Sequence, residues 1–562
     1  MDAPVNPNEL IKARSRYLRG TLKESMADPL TGALAPDDAQ ISKFHGFYEQ
    51  DDRDQRSRRQ AEFLEPYYSF MLRARLPGGV CTPQQWLSID AVGRELGNGT
   101  IRLTTRQTFQ YHGILKRNLK PLIQRINQAM LDSIGGCGDV NRNVLCSPNP
   151  EHSGLHAEVY RWAKRISERL LPNTRAYHEI WLDGEPLIGA ESEPVYGETY
   201  LPRKFKIAVA VPPRNDVDIY TNDLGFVAIA DGERLAGFNV VAGGGMGVTH
   251  DDPTTYPRLA DELGFIRPEQ VPAVAEAVVT IQRDFGNRVS RRHARLKYTI
   301  ETMGLDAFKT EVEARSGIIF EQPRPVRFTS QNDRYGWTPN ADGSWHLTLY
   351  IENGRVEDSE TVKLLSGLRE IAGIHSGDFR ITPNQNLIVA GVPENQKDRI
   401  EDIARRRGLL SEGHSAARLS SLACVALPTC PQAMAEAERY LPRLQGKVED
   451  LANRHGMGDR SIVMRMTGCA NGCARPYVAE IGFVGKGPGR YNLLLGGDGT
   501  GRRLARLYRK NLNEEGLLET LDHLFGHFAA NSRKNEDFGD FTIRSGLVKP
   551  VLNPAEDFHE SA

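Results

Sequence analysis

Two stretches, "IRLTTRQTFQYHGI" (residues 101–114) and "FRITPNQNLIVAGV" (residues 379–392), align without a gap. Arg102 falls on Arg380, Thr104 on Thr382, Gln107 on Gln385 and Gly113 on Gly391. Each stretch reads as an apolar strand, a polar turn and a second apolar strand. A second pair repeats the relation: "DLGFVAI" then "GFNVVAGGG" (residues 223–245) matches "EIGFVGK" then "RYNLLLGG" (residues 480–497). The chain therefore reads as two copies of a two-unit plan. The expected division is an N-terminal arm that wraps the fold or binds a partner (1–64), a first half-domain (65–137), an α/β domain (138–334), a second half-domain (335–411) and a second α/β domain (412–562). Helical stretches such as "TPQQWLSIDAVGRELG" and "PQAMAEAERYLPRL" alternate with the strands, which gives an α/β (α+β) class. A pseudo-twofold repeat tends to place a ligand at the seam between copies.

The composition narrows the function. The chain has 562 residues, 40% of them hydrophobic and 25% charged, which suits a globular protein of several domains. The net charge of −1 gives no overall field for nucleic acid or an anionic membrane, so any basic site has to be local. No apolar run is long enough to span a bilayer, and the N-terminus "MDAPVNPNELIKARSRYLRG" lacks the apolar segment of a secretory signal. Seven scattered cysteines suit a reducing cytoplasm better than a disulfide scaffold.

Four of those cysteines are spaced for chemistry. Cys424 and Cys430 lie in "CVALPTCPQAMAEAERY", and Cys469 and Cys473 in "MTGCANGCARP". Two close-set pairs of thiolates can converge on one metal centre. The gap from Cys424 to Cys430 is wider than the usual zinc pair, whereas a [4Fe–4S] cube takes one thiolate per iron and tolerates unequal gaps. Gly468 and Gly472 leave room for a bulky inorganic group, and Pro431 is placed to open a helix. An iron–sulfur cluster, zinc and unmetallated buried thiols all remain open on spacing alone. Cys81, Cys137 and Cys146 show no pairing and read as packed thiols.

Cations gather in the first copy. Arg102, Thr104 and Arg106 recur at period two and would share one face of a strand. Lys204 and Lys206 share a face in "LPRKFKIAVAV", with Phe205 pointing away. Arg142 sits in "VNRNVLC", and Arg73 and Arg75 precede the turn of "RARLPGGV". The second copy has Asn384 where the first has Arg106. A basic site in one copy only calls for an anionic ligand.

The strings "RLPGGV", "IRLTTRQTFQYHGI", "NRNVLC", "LPRKFK", "CVALPTCPQAMAEAERY" and "TGCANGCARP" together resemble the siroheme sulfite/nitrite reductase family, and within it the hemoprotein (beta) subunits of assimilatory NADPH-sulfite reductases. The likeness runs over almost the whole chain. It implies ferredoxin-like half-domains, and a centre in which siroheme is joined to a [4Fe–4S] cluster held by Cys424, Cys430, Cys469 and Cys473. Cys473 would also be the axial ligand bridging to siroheme. Arg75, Arg142, Lys204 and Lys206 match the family's anion-binding, catalytic cations. Arg102, Thr104, Arg106, Gln110 and His112 fall in the stretch that grips siroheme. The implied reaction is six-electron reduction of sulfite to sulfide for cysteine biosynthesis, with electrons from a flavoprotein subunit carrying FAD and FMN. A siroheme nitrite reductase and a ferredoxin-coupled enzyme are the rival expectations. The chain carries no strand–G-x-G-x-x-G–helix unit of its own. "GGGMG" (residues 243–247) does not fit that pattern and reads as a loop near the haem or a turn.

Overall fold

The computed structural model describes residues 4–149, 153–185 and 190–560. Among these, the repeat read from the sequence becomes four five-stranded sheets in two matched pairs. The first half-domain orders its strands Phe47–Asp51, Tyr68–Arg73, Phe109–Ile114, Ile101–Leu103 and Arg355–Val356. The second orders Gly336–Pro339, Trp345–Leu349, Leu387–Val392, Asp378–Ile381 and Val80–Cys81. All their pairings are antiparallel.

The fifth strand of each sheet comes from the other half. Arg355 pairs with Arg102, and Cys81 pairs with Phe379. Gln107 and Gln385 stand at the crossing, each with positive φ in the tight turn between its strands. Gln107 Nε2 donates to the carbonyl of Ile381 at 2.9 Å, and Gln385 Nε2 to that of Leu103 at 3.5 Å. Those two carbonyls are themselves equivalent in the repeat, so the same hydrogen bond is made twice across one axis.

The two larger domains repeat as closely. In one, Leu145–Cys146, Ile207–Ala210, Leu224–Asp231, Arg234–Ala242 and Asp261–Ile266 follow a parallel, parallel, antiparallel, antiparallel order. In the other, Ser421–Ala423, Met464–Thr467, Ile481–Gly487, Arg490–Leu495 and Arg506–Leu512 do the same. Apolar residues crowd the inner strands, as expected of sheets covered by helices. Helices His156–Arg169 and Val271–Phe285 belong to the earlier domain, Leu441–Arg454 and Glu514–Asn531 to the later one. The last domain closes around its own buried cluster, which includes Leu444, Phe483, Leu521 and Phe525. Among the described residues no helix is long and apolar enough to cross a membrane.

Two local expectations change and one holds. Strand Phe47–Asp51, inside the stretch read as an arm, is the edge strand of the first sheet, so a boundary at residue 64 would cut that sheet. Helix Pro83–Leu96 forms as expected, with a reciprocal Thr82/Gln85 cap. No helix begins at Pro431: residues 431–440 are turns, and the helix starts at Leu441. The amides of Met434 and Ala435 are already spent on the carbonyl of Gly468, at 2.8 and 3.0 Å, and that of Glu438 on Cys424. These bonds across to the other cysteine loop replace the helical ones.

Candidate active site

A cavity of about 490 Å³ lies at the seam. The first half-domain supplies Arg73, Arg102, Thr104, Arg106 and Gln110. The domain after it supplies Arg142, Lys204 and Lys206, and the last domain supplies all four spaced cysteines. Residues far apart in sequence therefore meet on one wall-to-wall space.

The thiols form no disulfide. Among the described residues no group of three His, Cys, Asp or Glu side chains converges as ligands of one ion. Four thiols set around a wider space fit a larger body, such as a cube with one thiolate per iron. Burial pushes the Cys424 thiol up to about 12 and that of Cys430 to about 11, with the nearby Cys473 adding to both. Both therefore keep their protons at neutral pH until a cation displaces them. The backbone around them is tight. A Cβ on Gly468 would lie 2.6 Å from Ala426 Cβ and 2.7 Å from the carbonyl of Ala435. Gly472 has φ of +62°, and a Cβ there would meet the Tyr477 ring at 2.6 Å. The "GGGMG" loop packs here too: Val248 N donates to the carbonyl of Ala470 at 3.1 Å.

The cations differ in what holds them. Arg102 is paired with Glu438 at 2.8 Å and also donates to the carbonyl of Ala423. Arg106 is held by neutral oxygens only, Asn222 Oδ1 at 2.7 Å and the carbonyls of Asn143 and Ile207. Burial pushes its guanidinium down to about 9. Arg142 Nε donates to the carbonyl of Gly138 at 2.7 Å, and its guanidinium also meets the Tyr48 phenol. Burial pushes Lys204 down to about 7, with Arg203 adding to the shift. Lys206 falls far below the usual ammonium range through burial and the charge of Lys204. Arg106 and Arg142, buried and not ion-paired with a carboxylate among the described residues, favour an anion in the space beside them, and such an anion would in turn favour the charged forms of Lys204 and Lys206.

Some residues sit differently from expectation. The first-half strand stops at Leu103, so Arg106 is in the turn, not on a strand face with Arg102. Lys204 and Lys206 precede the strand Ile207–Ala210, held extended where Arg142 N donates to the carbonyl of Phe205 at 2.9 Å. His112 does not line the cavity. It lies buried behind Gln110, with Nε2 3.0 Å from the Gln110 amide nitrogen. Arg75 does not line it either. The strand ends at Arg73, and beyond it Arg75 turns into a two-pronged ion pair with Asp132, at 2.9 and 2.5 Å. The arginine of "RARLPGGV" that reaches the cavity is Arg73, which donates to Gln110 Oε1 at 3.2 Å. Sequence reasoning also passed over Glu438, whose acidic letter inside "AEAERY" gave no sign that two arginines converge on it, and the "KFHGFYEQ" segment, which brings Lys43 and Tyr48 to the cavity.

The repeat shows how the equivalent place in the second copy is closed. Strand registers make Thr348 the counterpart of Arg73 and Ile388 the counterpart of Gln110. At that second place Asp333, just ahead of the strand Gly336–Pro339, accepts from Thr382, Asn384 and Asn386 at 2.6–3.1 Å. Only about 10 Å³ is left there, room for no more than a water.

Known proteins share these features. The model of the "Nitrite/Sulfite reductase ferredoxin-like half domain" matches residues 65–129 and again 338–407. That of the "Nitrite and sulphite reductase 4Fe-4S domain" matches residues 161–320. This match lies on the copy without the four cysteines, as the close repetition of the two larger domains allows. The "Sulfite reductase [NADPH] hemoprotein beta-component" of Thiocapsa roseopersicina is 65% identical over 561 residues, 100% of both chains. The protein of that name from Shewanella oneidensis is 58% identical over 556 residues, 98% of each. The solved structure of the Mycobacterium tuberculosis NirA protein superposes with a TM-score of 0.80 over 96% of each chain at 24% identity, a likeness of fold. Paired half-domain matches and full-length identity to such relatives give one conclusion: this chain belongs to the nitrite and sulphite reductase family.

Proposed function

We propose that this chain is the hemoprotein component of an assimilatory sulfite reductase, reducing sulfite to sulfide at siroheme coupled to a [4Fe–4S] cluster. The observation that carries the reading is a cavity in which four spaced thiols face Arg73, Arg106, Arg142, Lys204 and Lys206, none of which is ion-paired with a carboxylate among the described residues. Cys424, Cys430, Cys469 and Cys473 would hold the cluster, and Cys473 would link it to siroheme. When bound, the two groups would pass on one at a time the six electrons that come from the donor and that no side chain can carry.

The side chains do the rest. Arg73 and Arg142 offer charged forks for an oxyanion. Arg102, Thr104, Arg106 and Gln110 stand along the first-half wall, where siroheme carboxylates need partners. His112 supports Gln110 from behind. Lys204 and Lys206, protonated once anionic cofactor and substrate fill the cavity, would hold the exchangeable protons needed as each oxygen leaves as water, and burial brings Lys204 to the pH at which it can both give and regain one. Their position ahead of a buried strand keeps the ammonium groups out of bulk solvent.

The donor would be a flavoprotein subunit, as the names of the close relatives imply, acting in the cytoplasm. Nitrite reduction is the second reading, because the matching family includes it. Turnover with reduced viologen decides between them: sulfite should have the higher kcat/KM, and a higher value for nitrite would overturn the substrate assignment. NADPH-dependent turnover that needs an added flavoprotein would support the donor, and full turnover with reduced ferredoxin alone would refute it.

A further inference from the structure

The turn "NDVDIYTND" (residues 215–223) joins two strands of the earlier large domain and contacts Arg106 and Lys206 of the cavity. Asn222 Oδ1 accepts from Arg106 at 2.7 Å. Asp223 accepts from the backbone N–H of Lys206 at 2.9 Å and from Arg295. Asp218 lies earlier in the same turn, fully buried and with a left-handed backbone, φ +45°. Asparagine and aspartate tolerate that conformation better than most residues. One oxygen of Asp218 accepts from Arg465 at 2.7 Å and from Arg475 as well.

Those two arginines bracket the second cysteine pair. Arg465 lies on the strand Met464–Thr467 that leads into Cys469, and Arg475 follows Cys473 by two residues. Arg475 carries the link onward. It donates to the carbonyl of Pro383 at 3.0 Å and to that of Thr105 at 3.4 Å. Thr105 Oγ1 in turn donates to the carbonyl of Cys473 at 3.3 Å. One carboxylate thus clamps both ends of the Cys469–Cys473 loop and ties it to the turn that bears Arg106.

We propose that Asp218 is a positioning residue for Cys473, fixing the thiol that would bridge cluster and siroheme against the first half-domain. The proposal rests on the cofactor reading above. A buried carboxylate shared by two guanidiniums resists displacement, because moving either arginine strands a charge in the interior. The loop between them is then held at both ends, which suits a ligand whose place decides how two redox groups touch.

The test uses the holoprotein and two variants, Asp218→Asn and Arg475→Lys. Asparagine removes the charge at constant shape, and lysine keeps the charge but loses the fork. The expected result is folded protein that still carries iron and siroheme, with altered visible bands and an altered electron-paramagnetic signature of the coupled centre. Turnover should fall at least tenfold while KM for sulfite stays within twofold. A purely stabilising role for Asp218 would lower the melting temperature but leave the spectra of the folded protein unchanged. Wild-type spectra and turnover in both folded variants would overturn the proposal. Should Asp218→Asn not fold, Arg475→Lys decides. Wild-type protein without any siroheme bands would instead overturn the cofactor reading beneath it.

Discussion

Arg102 and Glu438 meet at 2.8 Å, joining the first half-domain to the stretch that follows the first cysteine pair. The other oxygen of Glu438 takes Arg355, the residue paired with Arg102 in the exchanged strand, at 2.7 Å. Burial alone would raise the Glu438 carboxyl, but Arg102 and Arg355 hold it below the usual carboxylate range. Glu438→Gln leaves two largely buried guanidiniums without a counter-charge. The expected cost is about 3–5 kcal/mol of unfolding free energy, read by urea denaturation. A group whose folded pKa is lowered stabilises above its unfolded pKa and loses that contribution as pH falls through the folded value. The difference between wild type and variant should therefore be full at neutral pH and shrink only in acid, below the ordinary glutamate range.

Arg73 and Arg75 separate anion binding from stability. Arg73→Ala should lose roughly 2 kcal/mol or more of anion interaction, about thirtyfold in kcat/KM for sulfite. Arg75→Ala breaks the pair with Asp132 and should cost about 1–3 kcal/mol of stability. Its kcat/KM should stay within about twofold of wild type, since pairing of that kind belongs to the fold. Steady-state kinetics and melting curves of the two variants check both statements, and the opposite pattern would restore Arg75 to the site.

The Lys204 ammonium gives the activity a pH signature. In the cofactor-free chain its pKa is near 7, so the group is half charged at neutral pH. Anionic cofactor and substrate favour the protonated form, which moves the midpoint upward. The kcat profile should therefore fall as pH rises past a midpoint above 7. Lys204→Met should remove that limb and lower kcat by about a hundredfold. A profile unchanged in the variant would take Lys204 out of proton delivery.

Gly468 has no room for a side chain, with Ala426 Cβ and the Ala435 carbonyl both within 2.7 Å of where a Cβ would stand. Gly468→Val should cost about 1–3 kcal/mol and push the two cysteine loops apart. Iron bound per chain should drop sharply, while the ferredoxin-like halves stay folded. Circular dichroism alongside iron analysis distinguishes this from general unfolding.

Much of the architecture was legible because the repeat is written twice. Gln107 and Gln385 align in the sequence and also make equivalent hydrogen bonds across the axis. The four cysteines were legible by spacing alone. What escaped the sequence were features set by tertiary contact. Arg73 and Arg75 differ only in which side of a strand end they fall, and a local pattern does not mark where a strand stops. Pro431 signalled a helix, but the amides after it are taken by the carbonyl of Gly468, thirty-odd residues away. The contacts of Asp218 and Glu438 are with arginines 83 to 336 residues distant, so no window of sequence displays them.

The most direct test of the central claim is the visible spectrum and iron content of Cys473→Ser beside the wild type. The account predicts wild-type protein with one siroheme and a four-iron cluster per chain, active on sulfite. In the variant, both the haem bands and the cluster signal should be disturbed together. Normal haem bands with a normal cluster signal in Cys473→Ser, or colourless, iron-free wild type that reduces sulfite at full rate, would contradict it.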